Sequence, residues 1–96
     1  MDKEQLLYWI GNGRFDNASK MCEECQWKEV NNNLLSIALE YKDISIFGFS
    51  KYMYDKTEDL KWLELAIEIL IKALSYVDGA EQLASFYKRE LLRSSN

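Results

Sequence analysis

The chain has no proline, no histidine, four glycines and two cysteines, and it contains no run of three or more basic residues. Each shortage excludes something. Proline and glycine are the poorest helix formers, so a chain nearly free of them tolerates long helices well. Histidine is the one side chain that titrates near neutral pH without help. Its absence makes general acid–base catalysis and zinc ligation hard to build. The expectation is a protein that is not an enzyme and carries no cofactor or metal. Without a basic cluster, and with a net charge of −4, phosphate neutralisation has no instrument. Nucleic-acid binding is therefore not expected. An acidic chain suits a basic partner instead.

Long apolar runs are missing too. The longest stretch, Leu60 to Leu74, is interrupted by Lys61, Glu64, Glu68 and Lys72, so no membrane span is expected. At the start, Met1-Asp2-Lys3-Glu4-Gln5 is charged, and the apolar run Leu6 to Ile10 is too short for a signal peptide. A cytoplasmic location is the expectation. The low hydrophobicity of disordered chains is also absent: 48% of residues are apolar, including three Trp, six Tyr and four Phe. At 96 residues the chain has the size of one domain.

What the chain does have is an internal repeat at an offset of 35 residues. Trp27 matches Trp62, Glu29 matches Glu64, and Leu35 matches Leu70. Ala38-Leu39 matches Ala73-Leu74, Tyr41 matches Tyr76, and Asp43 matches Asp78. Ser50 and Tyr52 match Ser85 and Tyr87. An offset near 34 residues is the length of one helix–turn–helix unit. One such unit cannot bury its own apolar face, so neighbours stack and share a core. The fold expected is all-α, with about six helices in three antiparallel hairpins forming a right-handed helical-repeat stack of TPR/HEAT-like type. Residues 1–25 form a divergent capping hairpin, 26–56 a second and 57–93 a third, and 94–96 are a frayed tail.

Local signals place the helices. Asp2 and Gln5 read as a capping box for a first helix ending near Ile10, before Gly11-Asn12-Gly13. A second runs from Arg14 to about Cys25, with Phe15, Ala18, Met21, Cys22 and Cys25 on one face. Gly13-Arg14-Phe15-Asp16-Asn17-Ala18 resembles the hairpin corner of tetratricopeptide units. The third spans Trp27 to Lys42, and Asp43 caps a fourth from Ile44 to Asp55. Gly48 inside it suggests a close helix–helix approach. Thr57 is expected to cap a fifth helix reaching Tyr76, apolar almost all round and therefore central. Asp78 and Glu81 read as a capping box for a sixth helix ending near Leu92.

Cys22-Glu23-Glu24-Cys25 is a C-x-x-C, but zinc lacks two further ligands, and the glutamates oppose a lowered thiol pKa. The favoured reading is two small apolar residues facing the core. Glu64 and Glu68 lie one helical turn apart. They read as a solvated strip, as a catalytic carboxylate pair, or as part of a binding ridge. Trp27 and Trp62 read as equivalent core wedges between hairpins. Tyr52, Tyr54 and Tyr87 lie near outer faces, where core or half-buried packing is favoured over an interface role. If the inner helices lie side by side, Glu29, Asn33, Ser36 and Glu40 run alongside Lys61, Glu64, Glu68 and Lys72. Such ridges line the binding face of helical solenoids. Glu29, Asn33, Glu40, Lys61, Glu64, Glu68 and Lys72 are the expected partner-binding residues.

Several segments together resemble a known family. They are Leu6-Leu7-Tyr8-Trp9-Ile10-Gly11-Asn12-Gly13-Arg14-Phe15, Asp43-Ile44-Ser45-Ile46-Phe47-Gly48-Phe49, and Trp62-Leu63, Ile69-Leu70, Tyr76-Val77-Asp78-Gly79-Ala80, Leu83-Ala84 and Tyr87. The chain resembles the small helical immunity proteins of Gram-positive bacteria, encoded beside polymorphic or contact-dependent toxins. Members of that family often carry Cys and His before the acidic-Gly-Ala corner, where this chain has Tyr76 and Val77. The resemblance implies a protein that binds and neutralises a cognate toxin domain, for which a basic nuclease would suit the acidic surface; a monomer is expected when it is free. The alternative is a tetratricopeptide-like adaptor that takes a peptide in its groove.

Overall fold

The computed structural model describes residues 1–95. They form six α-helices and no strand: α1 (Lys3–Gly11), α2 (Phe15–Glu23), α3 (Trp27–Tyr41), α4 (Ile44–Thr57), α5 (Leu60–Lys72) and α6 (Ala80–Ser94). Within this stack of helical hairpins, α3 packs against both α1 and α5, which makes one row of odd-numbered helices. On the other side α2 packs on α4, and α6 touches α4 through the Phe47–Tyr87 ring pair, 6.1 Å between centroids. The radius of gyration, 12.6 Å, is that of one compact body rather than an extended solenoid.

Periodicity explains why α5 is central. Trp62, Leu63, Leu65, Ala66, Ile67, Ile69 and Leu70 are all buried, and α3, α4 and α6 each cover part of its circumference. Full burial of one such side chain is worth about 1.5–3 kcal/mol, so this helix anchors the domain. Phe49 of α4 is fully buried at the centre, with the rings of Phe15, Tyr52 and Trp62 around it. Ser50 is buried beside it and satisfied, its hydroxyl donating to the Trp62 carbonyl at 2.8 Å. Between α4 and α6, Lys51 pairs with Asp55 at 2.6 Å and lies over the rings of Tyr54 and Tyr87. Partial burial works against its charge, yet the Asp55 hydrogen bond and the nearby Tyr87 and Glu90 hold its pKa above the ordinary value.

Helix boundaries follow the caps, and several differ from the sequence expectation. Asp2 does cap α1, accepting from the Glu4 and Gln5 amides at 3.0 and 3.2 Å. Asp43 caps α4 in the same way through Ser45. Helix α2 stops at Glu23, because the Cys25 amide turns back to the Cys22 carbonyl at 3.1 Å. Thr57 does not cap α5. It ends α4, its hydroxyl donating to the Met53 carbonyl, and Asp59 is the cap, accepting from the Lys61 amide at 3.1 Å.

Helix α5 ends at Lys72 rather than Tyr76. The Leu74 amide reaches back to the Ile69 carbonyl at 3.0 Å and swings Leu74 fully into the core. Asp78 does not cap α6. Gly79, with φ +87°, occupies the cap position, and the Leu83 amide bonds its carbonyl. Ser94 belongs to α6, and the Ser95 hydroxyl donates to the Leu91 carbonyl at 2.7 Å. Asn96, the last residue of the expected tail, lies outside the described residues. Gly48 marks no close helix approach: a Cβ there would meet only the Phe15 ring, at 3.9 Å.

Candidate functional site

Three neighbours leave α5 one open side. Lys61, Glu64, Glu68, Ile71 and Lys72 occupy it at i, i+3, i+7, i+10 and i+11 spacing, which keeps them on one helical face. The strip faces a groove of about 450 Å³, whose opposite wall is Trp27 and Asn31 of α3. Glu68 and Lys72 pair across one turn at 2.9 Å. Lys61 leans the other way, with its ammonium 3.4 Å from Asp59 and 5.0 Å from the centre of the Trp27 ring. Among the described residues Glu64 has no ion-pair partner.

The α3 residues expected beside this strip lie elsewhere. Glu29 and Asn33 face Met1, just ahead of α1, and Ser36 faces α1 itself. The Glu29 carboxylate accepts from the Met1 ammonium at 2.7 Å, the Asn33 amide approaches the Met1 sulfur at 3.7 Å, and Lys3 donates to the Ser36 hydroxyl at 3.2 Å. Hydrogen bonds from that ammonium and from Cys25 hold the Glu29 carboxyl below its usual range. Glu40 is exposed beside Asn32, Leu35, Ser36 and Leu39, in a shallow depression on α3. The seven expected residues thus divide: Lys61, Glu64, Glu68 and Lys72 stand together, while Glu29, Asn33 and Glu40 do not join them. The physical reason is helical phase. Trp27 and Asn31 lie one turn apart on the flank of α3 toward α5, whereas Glu29, Asn33 and Ser36 lie on the flank toward α1.

Trp27, Asn31 and Ile71 were not among the expected residues. Trp27, expected in the core, is half-buried, in edge-to-face contact with the buried Trp62 and with Lys61 over its ring. Ile71 was hidden by the nearly continuous apolar character of α5. A second set of exposed apolar residues, Tyr41, Ile44 and Tyr76, lies at the corners after α3 and α5. The two corners are tied by the Tyr76 hydroxyl, which donates to the Lys42 carbonyl at 2.6 Å.

Elsewhere the chemistry is quiet. Burial pushes the Cys22 thiol up to about 12, and desolvation together with Glu29 raises Cys25 as well, so neither is a ready thiolate. Among the described residues no group of three or more Cys, Asp or Glu side chains is placed to hold a metal, and no helix is long and apolar enough to cross a membrane. No family model matches the chain, and neither a curated protein nor a solved structure does. The groove itself offers an aromatic wall, an apolar floor of Leu65 and Ile67, and one edge on which Glu64 and Glu68 stand between Lys61 and Lys72.

Proposed function

We propose that this protein acts by binding another protein, and that the partner is a basic toxin domain which it neutralises. The observation that carries this reading is the α3–α5 groove, where an apolar channel walled by Trp27 is bordered by Glu64 and Glu68 between Lys61 and Lys72, with Glu64 unpaired among the described residues. The net charge of −4 adds long-range attraction for a basic partner. Electrostatic complementarity of this kind speeds capture and rejects acidic competitors. The family resemblance of the Leu6–Phe15, Asp43–Phe49 and Trp62–Tyr87 segments supports the specific class, a bacterial immunity protein. Neutralisation would follow from covering the basic surface through which a nuclease-type toxin holds its substrate.

Co-expression with the product of the adjacent gene tests the proposal. The expected result is a complex that survives purification, and growth of cells that the partner alone would kill. Failure to form any complex, together with absence of rescue, would overturn it.

A further inference from the structure

The groove has a more specific chemistry than acidity. Trp27 is half-buried and lines the groove, and in the free protein a cation already stands over its ring: the Lys61 ammonium, 5.0 Å from the ring centre. Lys61 is held there loosely. It is an exposed side chain whose other partner, Asp59, is 3.4 Å away and itself half exposed. Exposed pairs of this kind hold by only about 0–1 kcal/mol. On the same groove stands Glu64, exposed and without an ion-pair partner among the described residues, whereas its neighbour Glu68 is engaged by Lys72. Asn31 supplies an amide on the α3 side.

We infer that this groove is a receptor for an arginine side chain of the partner, with the guanidinium stacked on Trp27 and paired with Glu64 after displacing Lys61. This rests on the binding role proposed above and names the chemistry of its central contact. Three physical points favour arginine over lysine. A planar guanidinium stacks on an indole, while an ammonium is a point charge that stays better hydrated. The guanidinium fork can engage a carboxylate through two parallel hydrogen bonds. The chain's own lysine already samples the ring, so a ligand must offer more than charge to replace it. Lys61 thereby acts as a gate: it keeps the indole covered in the free protein and leaves the ring when arginine enters.

The test uses the intact protein and a small probe, Nα-acetyl-arginine methylamide, followed by nuclear magnetic resonance at the three indole N–H signals. Saturable displacement of the Trp27 signal is expected in the millimolar range, with the buried Trp62 moving less and the neutral citrulline analogue without effect. Glu64→Gln is expected to weaken binding about tenfold, the cost of one charge-assisted hydrogen bond. Lys61→Ala is expected to tighten it by about threefold, because the competing cation is gone. Both residues are exposed, so neither variant threatens the fold. Absence of a saturable Trp27 shift would overturn the inference, as would equal binding by the citrulline analogue, an unchanged affinity in Glu64→Gln, or weaker binding in Lys61→Ala. The probe needs no partner protein. A negative arginine titration would leave a stable complex standing, and a missing complex would leave a positive titration standing, so the two failures are separable.

Discussion

Trp27 and Trp62, thirty-five positions apart in the chain, meet edge to face, with ring centroids 4.9 Å apart and planes at 78°. Residues that correspond in the repeat are thus direct neighbours across the seam between α3 and α5. Their surroundings differ. Trp62 is 4% exposed and also touches Phe49, while Trp27 covers it from the groove side. Trp62→Ala is therefore expected to cost about 3–5 kcal/mol, the usual penalty for emptying a core aromatic site. Trp27→Ala is expected to cost about 1–2 kcal/mol, mostly the lost ring–ring contact and partial burial. Urea denaturation of the two variants measures the difference. Equal losses would mean that the two indoles are equivalent after all.

The glycines supply a sign test. Gly48 lies within α4 with helical backbone and room for a methyl group, the Phe15 ring being 3.9 Å away. Gly48→Ala is expected to raise stability by about 1 kcal/mol, the difference in helix propensity. Gly79 also has open space around it, but its φ is +87°. Gly79→Ala is expected to lower stability by about 1–2 kcal/mol, the cost of a side chain in left-handed backbone. Thermal melts separate them, since about 1 kcal/mol moves Tm by 4–8 °C in a domain this small. Two shifts of the same sign would contradict the assignment of helix to one position and turn to the other.

The C-x-x-C has a consequence at alkaline pH. Burial raises the Cys22 thiol from an ordinary value of 9.0 to about 12. Below pH 9 both folded and unfolded chains keep the proton, and its contribution to stability is complete. Between about 9 and 12 only the unfolded chain releases it, so stability falls by up to about 1.4 kcal/mol per pH unit. Comparison of urea midpoints at pH 8 and pH 10 is expected to show a steeper loss in the native protein than in Cys22→Ala. Parallel losses would place the thiol in water.

These positions also show how far the chain could be read in advance. The 3.6-residue spacing of apolar side chains and the Asp2 and Asp43 caps made α1, α3 and α4 legible, because both signals act within one or two turns. The repeat made the pairing of α3–α4 with α5–α6 legible as well. It misled where tertiary position overrides local likeness. Ser50 and Ser85 correspond, yet Ser50 is buried under α5 and Ser85 is exposed, since no further helix packs over α6 among the described residues. Asp43 and Asp78 correspond, yet the left-handed Gly79 comes between Asp78 and α6. Leu39 and Leu74 correspond, yet Leu74 lies past the end of α5, in the core.

The site was legible by half for a related reason. The strip on α5 could be read because apolar residues cover the rest of that helix and leave one polar line. On α3 the polar residues surround most of the helix, so the flank that meets α5 had no distinguishing pattern. Asn31 on that flank is of the same type as Asn33 on the opposite one, and Trp27 carries the pattern of a core residue.

Calorimetric titration of the purified adjacent-gene product tests the binding role most directly, with the native protein, Glu64→Lys and the control Asp16→Lys compared side by side. Both reversals add the same charge at exposed positions, but Asp16 lies on α2, which packs on α1 and α4 and has no part in the groove. Glu64→Lys is expected to lose at least about a hundredfold in affinity, roughly 2.8 kcal/mol, while Asp16→Lys stays within about threefold of the native protein. Native affinity in Glu64→Lys, or equal losses in the two variants, would contradict a partner seated between α3 and α5.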